Sequence, residues 1–410
     1  MQAHPPARFL DKHSPPHIGT LTGLTGIAAL AMNLFLPSLP GMAAHFGVTP
    51  AVMGLSVGLY LFVNALLQLV VGPISDRYGR RRVIIASLVA YCLASLGCVF
   101  APNALVFLTF RMLQASIAVT MVLSRAVVRD ITPEHQAGAR IAYVTMGMAL
   151  VPMVSPTIGG FAEHYFGWQA NFWILFAVGL VGLAVAWADL GETAQKSESS
   201  LIQQYREMPE LLRSPRFWGY SMAATGSAGT FFSFLGGAPF VATDVFLLKP
   251  QELGLYFAAP ALGYFFGNFA AGRYSARIGG DRMVLIGMVI LLLASATSLL
   301  LSLLGLQTLL TFFALMVPVG FGNGMSIPNA VAGTLSVRPR LAGTASGLGG
   351  AMMLAGGAGV SAIVGWGLEG GQTATPLVLI QTLSSAGGVL AILYVIRRAA
   401  RLGAAGIDGP

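Results

Sequence analysis

The sequence predicts an all-α membrane protein from its composition, its long apolar runs and a charged turn that occurs twice. Charged residues make up 9% of the 410 residues and hydrophobic residues 55%, whereas soluble proteins carry roughly 25% charged residues. Helix is the spanning element that fits such runs, because a lipid-exposed open strand would leave backbone groups unpaired. The chain is therefore predicted to cross a membrane many times.

Twelve apolar stretches are long enough to span a bilayer, which takes about 20 residues each. If the N-terminus is inside, nearly all Lys and Arg fall in inner segments, and the outer connections carry only Lys249. The positive-inside rule then predicts that both termini are cytoplasmic. The predicted spans are approximately 18–40, 51–72, 82–102, 104–128, 139–162, 168–188, 216–242, 252–274, 283–304, 307–334, 341–367 and 374–396.

A charged, glycine-punctuated turn follows the second span, at Gly72–Arg82, and recurs at Gly272–Arg282. Its glycines, serine and two of its arginines match at a constant offset, but Ala276 replaces Asp76. The repeat predicts two pseudo-symmetric six-helix halves. The predicted regions are a cytoplasmic N-terminal tail (1–17), an N-terminal half (18–190), a cytoplasmic linker (191–215), a C-terminal half (216–397) and a cytoplasmic C-terminal tail (398–410).

Several classes of function lack their sequence signals. The six histidines are terminal or in loops and lack metal-ligand spacing. No Gly-rich loop followed by Lys-Ser/Thr is present to hold ATP phosphates. The net charge of +8 fits basic cytoplasmic loops, and no basic patch is interleaved with aromatic residues. We expect no enzyme activity, metal, cofactor or nucleic-acid partner.

The first turn carries a family motif. In that family it reads G-x-x-x-D-R-x-G-R-R, and this chain matches every position. With six plus six spans, nearly the whole chain resembles the major facilitator superfamily of secondary transporters. The resemblance implies a conformational latch, in which Asp76 meets a cation or a helix N-terminus on a neighbouring span; the alternative is a simple positive-inside anchor. The predicted latch residues are Gly72, Asp76, Arg77, Gly79, Arg80, Arg81, Arg129 and Asp130.

Four further segments resemble the Bcr/CflA branch of drug:proton antiporters. They are Asn33–Pro40, Arg111–Gln114, Ser124–Asp130 and the proline- and glycine-rich part of the fifth span. The last is similar to a motif that marks exporters, and it permits either a helix kink or a packing seam without a role in cycling. Its residues are Pro152, Pro156, Gly159 and Gly160.

The branch implies export of drugs or toxic small metabolites across the inner membrane by alternating access, coupled to protons. A specific metabolite carrier or facilitator without proton coupling is one alternative. A non-transporting membrane receptor or scaffold is another.

Arg111 lies too deep in the fourth span for a loop residue, and a cation inside a membrane is a functional-site hypothesis. The alternative is that it snorkels outward. Asn33 departs from the family, whose antiporters place an aspartate at this point, and an amide cannot titrate. Proton coupling therefore rests on the resemblance, and Glu163, Asp244, Asp76 or the substrate's own charge would have to carry the proton.

A pocket with a buried arginine and no buried carboxylate should favour neutral or anionic compounds. Aromatic and polar side chains on other spans could contribute, although lipid-facing or helix-packing roles compete for each. We expect a monomer whose partners are a small-molecule substrate and the lipid bilayer. The predicted substrate-binding or coupling residues are Asn33, Arg111, Gln114, Tyr60, Asn64, Phe232 and Tyr256.

Overall fold

The computed structural model describes residues 9–12, 14–132, 144, 151–152, 154–193, 208–338, 341–369 and 373–404, without the side chains of 129, 342–343 and 402–404. Within these residues every regular element is helical. The α-helices are α1 (Ile18–Asn33), α2 (Leu39–Phe46), α3 (Pro50–Tyr78), α4 (Arg80–Val99), α5 (Ala104–Gln114), α6 (Ala118–Ile131), α7 (154–166), α8 (Gln169–Asp189), α9 (208–212), α10 (Pro215–Phe240), α11 (Pro250–Tyr256), α12 (Ala258–Ile278), α13 (Gly280–Leu303), α14 (Leu309–Ser336), α15 (Ala342–Gly367) and α16 (Thr375–Ala404).

Nine segments in the described part of the chain are long and apolar enough to cross a membrane, which confirms a multi-pass membrane protein. The predicted run 139–162 lies largely outside the described residues. The runs 216–242 and 252–274 correspond to α10 and to α11–α12, which are not among the nine, so the count of twelve remains a prediction. The nine are Ile18–Phe46, Pro50–Tyr78, Arg80–Val99, Ala104–Val128, Gln169–Asp189, Gly280–Leu303, Leu309–Ser336, Thr344–Gly367 and Thr375–Arg401.

The chain forms two compact units. Unit 1 comprises Met1–Val48, Leu66–Leu201 and Pro250–Leu255, and unit 2 comprises Thr49–Ala65, Ile202–Lys249 and Tyr256–Pro410. In unit 1, α4 packs on α8, α5 and α6, and α1 packs on α6 and α8; in unit 2, α14 packs on α12 and α13, and α10 on α15 and α16. The predicted boundaries at 18–190 and 216–397 stay predictions.

A single residue joins α3 to α4. Gly79 adopts φ +95° and ψ 142°, a combination that residues with a side chain adopt only under strain. The chain can therefore leave one helix and enter the next without a longer loop. Gly279 does the same between α12 and α13, with φ +92°.

Asp189 at the end of α8 binds the segment that precedes α1. Its Oδ1 accepts a hydrogen bond from the backbone N–H of Leu10 at 2.7 Å, and its Oδ2 accepts one from the N–H of His17 at 2.9 Å. The carboxylate is fully buried, and each of its two oxygens accepts one of these hydrogen bonds. Asp189 thus has a structural role, which joins the start of unit 1 to its last long helix.

Candidate functional site

Arg111 on α5 is the most deeply buried cation of the described residues, with 1% of its surface exposed. Its guanidinium lies 4.1 Å from the centroid of the Phe35 ring, in cation–π geometry. Its Nη1 donates to Oε1 of Gln114, one turn along the same helix. Gln114 Nε2 in turn donates to Oγ of Ser95 on α4, at 2.8 Å. The guanidinium is thus enclosed by protein side chains, and its role in substrate binding stays a prediction.

Asn33 does not join this network. Its Nδ2 donates to the carbonyl of Ala29 in the preceding turn of α1, at 2.8 Å, and the side chain is 3% exposed. The amide therefore bonds to its own helix instead of to Arg111. Because an amide does not titrate, it also cannot replace the carboxylate that related antiporters place in this span.

Two glycines of the predicted kink motif bring α7 into contact with two neighbours. A Cβ on Gly159 would overlap the carbonyl oxygen of Leu34, and one on Gly160 would overlap that of Pro250. Thr157 Oγ1 also donates to the carbonyl of Gly254 on α11, at 3.0 Å. The close helix approach expected at these glycines is thus present within unit 1. A kink at Pro152 and Pro156 stays a prediction.

Glu163 lies one turn beyond these glycines, at the end of α7. Ser38, just after α1, hydrogen-bonds its carboxylate, and Oε1 lies against Gly41. The Ser38 Oγ also accepts from Nδ2 of Asn171 on α8 at 2.7 Å, and Asn171 donates to the Gly159 carbonyl at 3.2 Å. A carboxylate is therefore connected to α1, α7 and α8 through one serine and one asparagine.

The second oxygen of Glu163 is buried and has no hydrogen-bond partner among the described residues. The residue follows the predicted fifth span, which ends at 162. Desolvation raises the pKa of Glu163 to about 7, against a smaller opposite effect of the Ser38 hydrogen bond. A carboxyl group with that pKa gains and loses a proton near neutral pH.

The other carboxylates of the described residues are weaker candidates for a proton-binding group than Glu163. Asp244 is exposed, in the π-helical turn after α10, and partial desolvation raises its pKa. Glu369 is exposed and accepts a hydrogen bond from the Thr49 hydroxyl at 2.6 Å. Most of the remainder are already engaged: Asp189 with Leu10 and His17, Asp76 and Asp130 with Arg80, Glu192 with the Arg80 N–H, Glu210 with Arg338, and Asp281 with Tyr220.

The first charged turn forms a network around Arg80, which is 6% exposed. Its guanidinium contacts Asp76 at 2.6 Å and Asp130 of α6 at 3.1 Å, and Nη1 donates to the Ser75 hydroxyl. Asp76 thus meets a cation inside its own turn, while the contact to a neighbouring helix is made by Arg80 through Asp130. Both carboxylates belong to the predicted latch. The side chain of Arg129 lies outside the described residues, and the latch role remains a prediction.

The same turn also contacts the end of α8 and the residues that follow it. Glu192 Oε1 accepts from the backbone N–H of Arg80 at 2.7 Å, where a carboxylate complements a helix N-terminus. Arg81 donates to the Leu190 carbonyl at 2.7 Å and lies over the Trp187 ring at 5.1 Å. Sequence reasoning missed Glu192, because a carboxylate in an irregular segment gives no sign of the helix that it caps.

The remaining predicted site residues, on α3, α10 and α11, all belong to unit 2. Tyr60 and Asn64 are buried along α3, at 2% and 6% exposure. The Phe232 ring fills the space beside Gly357 of α15. Tyr256 stacks on Phe313, with 4.7 Å between ring centroids. The packing alternative thus describes the surroundings of Phe232 and Tyr256.

A family comparison identifies the fold that carries these contacts. Residues 21–362 match the family described as Major Facilitator Superfamily. The chain belongs to the major facilitator superfamily.

Relatives of this transporter point to one branch of the superfamily. This chain is 30% identical over 321 residues to the chloramphenicol resistance protein of Pseudomonas aeruginosa, and the match covers 78% of this chain and 76% of that protein. It is 27% identical over 352 residues to a bicyclomycin resistance protein homolog of Haemophilus influenzae, covering 84% and 87%. These relatives are Bcr/CflA-type efflux proteins, which confirms the branch predicted from the motifs.

A solved structure supports the fold independently. The crystal structure of a bacterial homolog to the human lysosomal transporter Spinster, inward-facing and occupied, matches with a TM-score of 0.69 at 17% identity. The match covers 93% of this chain and 94% of that one. From the family match and the relatives, the protein is a multi-pass transporter that lies in a lipid bilayer and acts on a small-molecule substrate.

The transporter also has a buried polar cluster in unit 2 that sequence reasoning missed. Asn323 on α14 accepts from Ser227 of α10 at 2.6 Å and from Thr230 at 3.3 Å. Gln381 on α16 donates to the Thr230 carbonyl at 3.1 Å. Amide side chains inside apolar runs were the available signal, since polar groups in spans are costly and usually paired.

Proposed function

We propose that the protein exports neutral or anionic drugs or toxic small metabolites across the inner membrane in exchange for protons, with Glu163 as the proton-binding carboxylate. The observation that carries the proposal is the buried, unpartnered Oε2 of Glu163 beside Ser38. Relatives named for resistance to chloramphenicol and bicyclomycin support the class of substrate.

Protonation of Glu163 would change the contacts of three helices. The ionised carboxylate accepts a hydrogen bond from Ser38 and cannot donate. The protonated form gains a donor and loses its charge, which alters the Ser38–Asn171–Gly159 chain of hydrogen bonds. A proton at Glu163 can thereby bias how α8 packs against α1 and α7, and this differential stability is what a coupling site requires.

The preference for uncharged or negative substrates rests on Arg111. Its guanidinium is buried in unit 1, where it contacts the Phe35 ring and Gln114. A lipophilic cation near this charge would be repelled, whereas an anion or a polar neutral group would be attracted.

The orientation and working unit belong to the proposal as well. The concentration of Lys and Arg in alternate connections supports cytoplasmic termini. We take the working unit to be the monomer, and transport to proceed without covalent chemistry on the substrate and without a metal or cofactor. In the described residues no group of three or more His, Cys, Asp or Glu could hold a metal ion.

Proteoliposomes with and without an imposed pH gradient test the proposal, with labelled chloramphenicol as the neutral probe. We expect the gradient to drive chloramphenicol transport by the wild type and not by Glu163→Gln. Exchange of labelled for unlabelled probe without a gradient should persist in the variant, because proton binding alone is removed.

Asp244→Asn is the matched control and should keep the gradient response. Gradient-driven transport that survives in Glu163→Gln would contradict the assignment of the proton to Glu163. Absence of chloramphenicol transport in both assays by the wild type would contradict the proposed substrate class.

Asn33 favours a second candidate, a facilitator without proton coupling, because the first span lacks a titratable group. Asn33→Asp separates the two. A gradient response that appears only in this variant would support the facilitator, whereas a response already present in the wild type would support coupling through a carboxylate elsewhere.

A further inference from the structure

A groove lies on unit 2 where the start of α10 meets the end of α16. Its volume is about 440 Å³, within the range of roughly 300–1,000 Å³ that ligand sites occupy. Gly219 allows the two helices to approach, because a Cβ there would overlap the Val395 side chain. The lining residues are Leu212, Arg213, Pro215, Trp218, Gly219, Met222, Ala391 and Tyr394.

The groove changes from apolar to cationic along its length. Met222 and Ala391 line its inner part, and Trp218 and Tyr394 follow, both exposed. Tryptophan and tyrosine are enriched where a membrane helix meets the headgroup region. Trp218 is held in place, since its Nε1 donates to the Leu212 carbonyl at 2.7 Å.

Three arginines mark the other end. Arg213 lines the groove itself and is exposed. On α16, Arg398 and Arg401 follow Ala391 and Tyr394 at spacings of three and four residues, which places all four on one helix face. No salt bridge to any of these arginines forms within the described residues. Among the described acidic side chains, Glu210 contacts Arg338 and Asp281 contacts Tyr220.

We propose that this groove binds one anionic phospholipid, with its phosphate at Arg213 and Arg398 and an acyl chain along Trp218 and Met222. The charge and the apolar path together favour this occupant. A zwitterionic lipid would make the apolar contacts, but its headgroup has no net charge to attract the arginines. A water-soluble anion would be attracted by the arginines but would make no apolar contacts. Basic pockets between membrane helices are recognised sites for acidic headgroups.

Quenching of Trp218 fluorescence by brominated lipids tests the proposal at the groove itself. The full-length protein is reconstituted in phosphatidylcholine vesicles that contain a small fraction of brominated phosphatidylglycerol or of brominated phosphatidylcholine. The contribution of Trp218 is the difference between the wild type and Trp218→Phe. We expect the phosphatidylglycerol to quench this contribution more strongly at equal mole fraction.

Two variants and a control determine the outcome. Arg213→Gln and Arg398→Gln should each weaken the apparent affinity for phosphatidylglycerol about fivefold, the effect of roughly one lost Arg near an anionic headgroup. Arg273→Gln removes an exposed arginine that does not line the groove and should leave the affinity unchanged. Met222→Phe, which widens the side chain in the apolar part without adding a fluorescent tryptophan, should weaken binding of brominated phosphatidylglycerol and leave the arginines in place.

Equal quenching by the two lipids would overturn the proposal. So would an equal loss of affinity in Arg273→Gln, which would mean that surface charge in general attracts the lipid. Quenching by phosphatidylglycerol that free phosphate abolishes in the wild type would assign the groove to a soluble anion instead.

Discussion

The two copies of the charged turn have the same backbone and different surroundings. Gly79 and Gly279 both have φ above +90°, and each joins two long helices. In the first copy Arg80 is buried between two carboxylates. In the second copy Gly280 occupies the place of Arg80 and Ala276 that of Asp76, and both are exposed.

The second copy lacks both members of the Asp76–Arg80 ion pair. A lone aspartate at 276 would lack its cation, and a lone arginine at 280 would lack its anion. The backbone turn therefore does not depend on the ion pair, since the second copy forms it with neither residue. The charges of the first copy instead serve the contact with α6 through Asp130, which is consistent with the predicted latch lying in one half of the transporter.

Replacing Arg80 should have the largest effect on this comparison. In Arg80→Gln, Asp76 and Asp130 would face each other without a counter-charge. We expect a loss of roughly 2–3 kcal/mol, below the roughly 3–5 kcal/mol seen for fully buried pairs, because Asp76 and Asp130 are 30% and 18% exposed. Thermal unfolding in detergent measures the loss.

The control for this prediction comes from the second turn. Arg277→Gln removes an exposed arginine and should change stability by no more than about 0.5 kcal/mol. Adding Asp130→Asn to Arg80→Gln should recover part of the loss, because it removes one of the two facing charges. An equal loss in the two single variants would contradict the burial argument.

The two glycines provide a matched pair with a smaller expected difference. Gly79→Ala and Gly279→Ala both place a side chain at a strained backbone conformation, at a cost of about 1–3 kcal/mol each. At Gly79 the new Cβ would also overlap the Glu192 carboxylate, which caps α4. We therefore expect Gly79→Ala to cost about 1 kcal/mol more, the usual value of a helix cap.

Glu192→Ala shows whether the cap is the cause. In that background Gly79→Ala and Gly279→Ala should lower the unfolding temperature by similar amounts. If the difference between the two glycine variants persists without Glu192, another contact of the first turn is responsible.

Installing the pair in the second copy should have the smallest effect. Ala276→Asp with Gly280→Arg adds an exposed i,i+4 ion pair, worth about 0.3–0.5 kcal/mol, and a Cβ at Gly280 meets nothing closer than 3.8 Å. The double variant should fold and transport normally, and its small gain in unfolding temperature should disappear at high salt. A clear fall in its transport rate would show that the ion pair alone can restrict the movement of helices in the C-terminal half.

Sequence reasoning succeeded where the contacts are local. The apolar runs located the spanning helices, and the spacing of Arg111 and Gln114 placed them on one helix face, where they do hydrogen-bond. The complete motif at Gly72–Arg82 identified the family. Each of these signals is contained within a few turns of chain.

It failed where a contact depends on how distant helices are rotated. The sequence makes Glu163 one of several candidate proton carriers, but its contact with Ser38 joins residues that are far apart in sequence. The same is true of Arg80 with Asp130 and of Gln381 with Thr230. A single sequence specifies which face of a helix is apolar, and it does not specify which neighbour that face meets.

The contact between Gly159 and the Leu34 carbonyl has a kinematic consequence. It leaves no clearance between α7 and α1, so neither helix can turn about its own axis there without bringing a side chain into the other's backbone. We therefore expect α1 and α7 to move together as one rigid body whenever the transporter changes conformation. Distances measured between labels on α1 and α7 should stay constant through the cycle, which makes this pair a fixed internal ruler against which other helix motions can be measured.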